Sequence, residues 1–597
     1  MWLLPWSVNS DFYSQYEIND QVSGFSEKSI WSLFNAKRKS THEAVSIFRF
    51  DIRDPTSPSV DRAKQSLKRI KTLRHPSILK YVDSCENEKS ICIVTENVTP
   101  LVDYLEKASD EFNVTQREFS IAFGLLSVAK GLSFMNNDCQ LNHNNINIYS
   151  IFVNSSGVWK IGGLECICSV DDKPPPRHEC LDEKYTPPEI LDPAKARHPG
   201  GKFAVDSWGM GCLVWECFNK PLTPSSSVKV VGKMPKTLSK HYNRLVQTSP
   251  KHRVSPMDFI KSCNDDDECK FFKSPLLDTI LYLEEIQLVK ESSEKAKFFN
   301  SLESELESFP SDICKNKILP DLINAFEYGD AGSPILNPIF KIGKMLSEEE
   351  YQSRLVPCII KLYTYKDRAT RSKLLQQLDS YVGYLAQNVI NDQIFPQVLQ
   401  GFMDSNVMIR EQTVKAILKL APKLTSHNLN DELLKHLSRL ITRDEEGGIR
   451  ANTTICLGNI GKLFNSETQR TILLPLFLRV MRDPFPPTRH AAVAAVRVNE
   501  SLFPNKDCAM KIMPSLCPLC IDPDPNVRRL ASKTLRLLVE RLEEHGEKEA
   551  TKVIEQQSLT KSSNENPDAV AKFASTRITK NANSIKNDLK SLSIKDG

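Results

Sequence analysis

Ala204-Val-Asp-Ser-Trp-Gly-Met-Gly-Cys-Leu-Val-Trp-Glu216 decides the reading of the first half of the chain. An aspartate opens a helix whose next turns are apolar all round, as in a helix buried inside a lobe. Upstream lie short β-branched and aromatic runs, Val45-Ser-Ile-Phe-Arg-Phe50 and Ile91-Cys-Ile-Val-Thr95, with the pattern of strands. From about Phe119 to Asn137 the pattern becomes helical. Ile151-Phe-Val153 and Val158-Trp-Lys-Ile161 then form a hairpin turning on Ser155-Ser-Gly157. Beyond Pro174-Pro-Pro176 the chain is helical with proline-rich loops. A β-rich segment followed by an α-rich one with a small hairpin predicts an α+β domain of two lobes over residues 12–270.

The chain has 597 residues, too many for one hydrophobic core. Its 40% hydrophobic and 25% charged residues fit a folded protein, and a net charge of +4 is far too small to announce a nucleic-acid binder. Met1-Trp-Leu-Leu-Pro-Trp6 has neither the basic lead nor the apolar length of a signal peptide. No run approaches the ~18 apolar residues of a membrane span. The 16 cysteines are mostly single. Only Cys517-Pro-Leu-Cys520 has metal-like spacing, and it lacks a second pair. The expectation is an intracellular, soluble, multidomain protein with buried thiols and no metal or cofactor site.

The second half repeats. Pro320, Pro357, Pro396, Pro475 and Pro514 each follow two apolar residues, at steps of 37, 39, 79 (two periods) and 39. Asp404, Asp444, Asp483 and Asp522 recur at 40, 39 and 39, followed six residues later by Arg410, Arg450, Arg489 and Arg528. Asp367 with Arg371 is a looser copy. The expected unit is a helix begun by proline, an aspartate capping a second helix, and an arginine reaching the neighbouring repeat. Helix pairs of this period form an α-solenoid of the HEAT type, placed at residues 311–545 after a helical connector at 271–310. From Gly546 to Gly597 Ser, Asn, Lys and Thr replace large apolar residues, which predicts a disordered tail.

Leu73-Arg-His-Pro-Ser-Ile-Leu79, the 204–216 helix, Thr186-Pro-Pro-Glu189 and Arg253 as the partner of Glu189 resemble, in order, the landmarks of the protein-kinase fold. That resemblance implies positions for ATP, Mg²⁺ and a catalytic base, and this chain has lost them. Val22 to Trp31, where a glycine-rich loop belongs, holds only Gly24. Phe48 occupies the position of the phosphate-pairing lysine, and Arg62 to Arg74 contains no acid to hold one. Leu141-Asn-His-Asn-Asn-Ile146 resembles the catalytic loop, with His143 kept for packing. Asn145 stands for the catalytic aspartate, Asn144 for the arginine that reads phosphorylation, Asn147 for the lysine and Ser150 for a metal ligand. Gly163-Leu-Glu165 stands for the metal-binding Asp-Phe-Gly. Lys37 or Lys39 is the nearest substitute for the lysine, and Glu165 reads as a solvated turn acid. No catalytic, cofactor or metal residue is assigned.

A degenerate kinase-like domain joined to HEAT repeats resembles the Scy1-like, or N-terminal kinase-like, pseudokinase family over residues 12–540. The carriers are Met1-Trp2, Phe134 to Asn145, Trp159-Lys-Ile-Gly-Gly-Leu164, Met234-Pro-Lys-Thr-Leu238, Phe298-Phe299, Gln393-Ile-Phe-Pro396, Ile409 to Lys415 and Asn452 to Gly458. The resemblance implies a non-catalytic scaffold in Golgi-to-ER retrograde traffic, binding COPI coat subunits and Arf-type GTPases at the cytoplasmic face of the Golgi and ER–Golgi intermediate compartment. The alternatives it leaves are a residual serine/threonine kinase and a tRNA nuclear-export adaptor. The family's coat-binding signal is a short basic C-terminal motif, whereas Ser593-Ile-Lys-Asp-Gly597 carries only Lys595. Either the chain is a shortened form or coat binding uses another surface.

Overall fold

The computed structural model describes residues 10–172, 182–191, 201–219, 221–223, 225–328, 331–365 and 367–561. Met1, Trp2, the Pro174–Pro176 run and the tail beyond 561 lie outside the described residues. The chain divides into two compact units, Met1–Leu355 and Val356–Gly597.

In the first unit a short helix α1 (Ser10–Ser14) leads into an antiparallel sheet of β1 (Tyr16–Gln21), β2 (Ser32–Arg38), β3 (Ala44–Asp51), β4 (Tyr81–Glu86) and β5 (Ser90–Glu96). The strand order is β1-β2-β3-β5-β4. In the register, Phe48 of β3 faces Leu33 on one side and Ile93 on the other. Helix α2 (Pro58–Thr72) starts with Pro58, whose missing N–H a first turn does not need, while the Ser57 side chain accepts from Ser59 N–H. It buries Val60, Ala63, Leu67 and Ile70 against the sheet's lobe.

After β6 (Val98–Pro100) and α3 (Leu101–Glu111), the second lobe is built on α4 (Val114–Ser133), opened by a reciprocal capping box between Asn113 and Gln116. Helix α4 and its extension to Asp138 is long and apolar enough to cross a membrane, yet 72% of that apolar window is buried in the protein. Its Gly124 admits the Trp159 ring, since a Cβ there would come within 2.0 Å of it. Small strands follow: β7 (Leu141–Asn142), β8 (Ile151–Asn154), β9 (Trp159–Ile161) and β10 (Cys168–Ser169). The β8–β9 hairpin turns at Gly157, at φ +72°. Then come α5 (Pro188–Leu191), α6 (Ala204–Phe218), α7 (Lys236–Tyr242) and α8 (Pro256–Asp265).

The boundary expected at residue 311 falls inside this unit. The helices from Pro275 to Leu355 pack with the lobes: Gln116 Nε2 donates to Phe309 O at 3.2 Å, and Ser156 Oγ donates to Asn316 O at 2.8 Å.

The second unit consists of paired helices, and its prolines stand elsewhere than expected. They do not begin the first helix of each pair. In this unit the helix starts nine residues earlier, at Gln387, Ser466 and Asn505, and widens to a π turn just before the proline. The closing bonds run from Phe395 N–H to Ile390 O, Leu474 N–H to Gln469 O and Met513 N–H to Cys508 O, one residue ahead of Pro396, Pro475 and Pro514. A proline inside a helix lacks a donor and collides with the carbonyl four residues back, and a wide turn relieves both. The repeat that lacks this proline keeps the wide turn, at Asn428–Leu433, so the turn does not require the proline.

The aspartates also differ from expectation. Only Asp367 is a helix cap, accepting from Thr370 N–H at 2.7 Å. Asp444, Asp483 and Asp522 instead accept from the amide two residues on and are gripped by the arginine of the preceding repeat. Arg410 Nε reaches Asp444 at 2.9 Å, while Arg450 Nε reaches Asp483 and Arg489 Nε reaches Asp522 at 2.7 Å each. Each arginine also donates Nη1 to the carbonyl of its own repeat's aspartate, at 2.8–2.9 Å. The expected inter-repeat contact is thus a two-sided clamp. The last helix, Pro525–Lys561, runs through Gly546, so the tail boundary expected there is not an element boundary. Good helix formers such as Glu, Lys and Ala carry it on.

Candidate functional site

The cleft between the lobes is where this fold handles nucleotide. Three aromatic rings fill it. Gly24, at φ +74°, turns the chain so that Phe25 points inward and is 5% exposed. Phe48 from β3 and Phe152 from β8 meet it: ring centroids are 5.2 Å apart for Phe48–Phe152, 5.6 Å for Phe25–Phe152 and 6.2 Å for Phe25–Phe48, all edge-to-face. The remaining cavity measures about 50 Å³, far below the ~300–1,000 Å³ of ordinary small-ligand pockets. The lysine at its rim is Lys28 rather than Lys37 or Lys39. On α2, Gln65 Nε2 donates to Ile167 O, tying the helix to the segment after Gly163-Leu-Glu165 by an uncharged bond.

The polar wall is closed on itself. Asn145 Nδ2 donates to Glu165 Oε1 at 3.3 Å and Gly163 O at 3.4 Å, and Asn147 Nδ2 donates to Asn145 Oδ1 at 2.9 Å. Ser150 Oγ donates to Asn147 O at 3.0 Å. Glu165 is 8% exposed, so it is not a solvated turn acid: the Asn145 amide and the wall of the cleft enclose it. At Gly163 the backbone has φ +61°, and a Cβ would lie 2.7 Å from Ser150 Cβ and 3.0 Å from Asn145 Nδ2. A metal-binding aspartate has no room there.

The frame around this wall is intact. Asp206, near the start of α6, accepts from His143 N–H at 2.9 Å, Asn144 N–H at 2.8 Å and Asn136 Nδ2 at 2.8 Å. His143 is fully buried, with Nε2 2.7 Å from Gly162 O, and burial lowers its pKa, favouring the neutral ring. Asn144, at φ +61°, donates to Cys166 O at 3.1 Å. Arg253 binds Glu189 with two bonds, 2.6 and 2.7 Å, and stacks over Trp208 at 5.0 Å. Glu216 at the far end of α6 accepts from Tyr185 Oη at 2.7 Å and Leu222 N–H at 3.0 Å, and burial raises its pKa.

The residues present do not fit Mg²⁺–ATP. A transferable phosphate needs amides closing over it, a lysine and at least two metal carboxylates or amides aimed at one point. Here the phosphate space holds phenyl rings, and the one carboxylate on the wall is bonded to Asn145. The residues the sequence reading singled out, among them Phe48, Asn145, Ser150, Gly163 and Glu165, do line this cleft, but that reading missed what the aromatics do together. Phe25, Phe48 and Phe152 come from three separate segments, and no local pattern signals that they meet.

The protein kinase domain family matches residues 31–272, and the HEAT repeat family matches residues 512–542. The chain is 37% identical over 535 residues to "Probable inactive serine/threonine-protein kinase scy1" of Dictyostelium discoideum, covering 89% of this chain and 63% of that one. It is 22% identical over 587 residues to "SCY1-like protein 2" of Homo sapiens, covering 89% and 62%. Over most of its length the chain is similar to Scy1-like proteins. It spans a little under two thirds of the length of these two relatives. Its fold is also similar to that in the crystal structure of Cex1p, with a TM-score of 0.60 at 22% identity, covering 91% of this chain and 99% of that one. The first unit is a kinase fold whose frame persists around a cleft filled by aromatic rings.

Proposed function

We propose that this Scy1-like chain works without catalysis, as a scaffold that joins COPI coat subunits to Arf-type GTPases in Golgi-to-ER retrograde traffic. It acts as a peripheral protein at the cytoplasmic face of the Golgi and the ER–Golgi intermediate compartment. The observation that carries the non-catalytic part is the cleft: aromatic rings stand in the phosphate space, and Gly163 has no room for a metal carboxylate. The trafficking part rests on the resemblance to the family, and a solenoid of clamped repeats supplies the extended protein-binding surface that such a role needs. Two measurements test the reading. Full-length chain should show no thermal shift and no phosphotransfer with ATP and Mg²⁺ or Mn²⁺. Affinity purification of the full chain from cells should recover coat subunits and Arf-type GTPases. Turnover abolished by Asn145→Ala refutes the first part, and recovery of neither partner class refutes the second.

A further inference from the structure

A second constellation lies on the far side of the second lobe, outside the cleft. His241 lies in the last turn of α7, Cys263 lies in the last turns of α8, and Cys269 follows a short turn in which its N–H donates to Asp266 O at 3.1 Å. One ring nitrogen of His241 and the two Sγ atoms all lie within 4.8 Å of one another. All three residues are buried, at 6%, 0% and 0% exposure.

The surroundings suit a cation. Asp266 Oδ2 stands 2.9 Å from His241 Nε2, as carboxylates do beside ligating imidazoles. Ser262 Oγ is 3.1 Å from Nδ1, while the same hydroxyl donates to Phe259 O at 2.9 Å. With Nε2 facing the Asp266 carboxylate, Nδ1 is the nitrogen left to ligate, and an ion there would take the place of the Ser262 hydroxyl. Asp265, Asp266, Asp267 and Glu268 lie between the two cysteines and make the linker strongly negative. Two thiolates, a neutral imidazole and a divalent ion sum to zero charge, which burial favours.

We propose that His241, Cys263 and Cys269 hold a structural Zn²⁺ that ties α7 to the end of α8. Three nitrogen and sulfur ligands are the larger part of a tetrahedral zinc set, and the fourth position falls to a water. On binding, both thiols release their protons to solvent, and no redox step is involved.

The test uses the full chain purified without chelators. Elemental analysis should find about one zinc per chain. Replacement by Co²⁺ should give the thiolate-to-cobalt charge-transfer absorption of a tetrahedral site, a reading that needs no variant. The C263S/C269S double variant should lose the metal, and chelation should lower the melting temperature of the parent chain but not of this variant. Asp266→Asn should weaken zinc affinity about 10–100-fold without abolishing it. The proposal is overturned if the folded parent carries no zinc and gives no charge-transfer band. Zinc retained in full by C263S/C269S, or a Cys263–Cys269 disulfide in place of the metal, overturns it equally.

Discussion

Replacing Arg450 by alanine isolates one rung of the repeat clamp. Arg450 gives Asp483 two bonds, 2.7 Å from Nε and 3.0 Å from Nη2, and gives Asp444 O a third at 2.8 Å. Its side chain is 13% exposed and that of Asp483 is 8% exposed. An exposed pair contributes about 0–1 kcal/mol, whereas breaking a fully buried one costs about 3–5 kcal/mol because a charge is left unpaired. Asp483 would keep one donor, the Phe485 N–H at 2.8 Å. The expected loss is therefore about 2–3 kcal/mol. Two-state denaturation of the whole chain is unsuitable for a protein with two units, so hydrogen exchange is the assay. Amides of Gly447–Ile460 and Pro486–Val498, the helices on either side of the rung, should exchange about 30–150-fold faster. A double-mutant cycle with Asp483→Ala should show a coupling of at least ~1 kcal/mol. Exchange that rises less than about threefold, or effects of the two substitutions that simply add, would refute the clamp.

Three further expectations concern the cleft and the acid response. Phe48→Lys, which restores the residue type of the nucleotide lysine, should destabilise the first unit by about 3–5 kcal/mol by placing an ammonium among aromatic rings; a thermal shift with ATP in this variant would contradict the packing reading. Gly163→Asp should cost about 1–3 kcal/mol through positive-φ strain and the Ser150 contact, and calorimetry should still detect no Mg²⁺ binding. The hydrogen bond from Arg489 holds the Asp522 carboxyl below the usual range. Its stabilisation is therefore present above the ordinary carboxylate pKa and disappears as pH falls through the depressed value. Exchange protection of the last repeat should drop on acidification in the parent chain, and the drop should be smaller in Arg489→Gln.

Much of this was legible from sequence where one residue type does one job. Asp206 ahead of an apolar helix, Glu189 with Arg253, and the Asp–Arg spacing each encode a contact whose chemistry admits few partners. The prolines were visible too, but propensity alone places a proline at a helix start. Here the proline lies inside a longer helix, and a wide turn just before it accommodates its missing donor. The aromatic filling of the cleft was illegible for a different reason. Phe25, Phe48 and Phe152 are ordinary strand and turn residues, and only the closed lobes bring their rings together. The burial of Glu165 escaped for the same reason, since its amide partner Asn145 belongs to another loop.

The clamp also makes the solenoid countable. Each arginine belongs to one repeat and its aspartate to the next, so the run has a direction and no repeat within it is self-sufficient. Excision of one whole period would bring Arg410 opposite Asp483 and leave the row of charges unbroken. Excision of half a period would face arginine with helix and strand two charges. The length of this half of the protein can therefore change in steps of one period, and resists change in anything smaller.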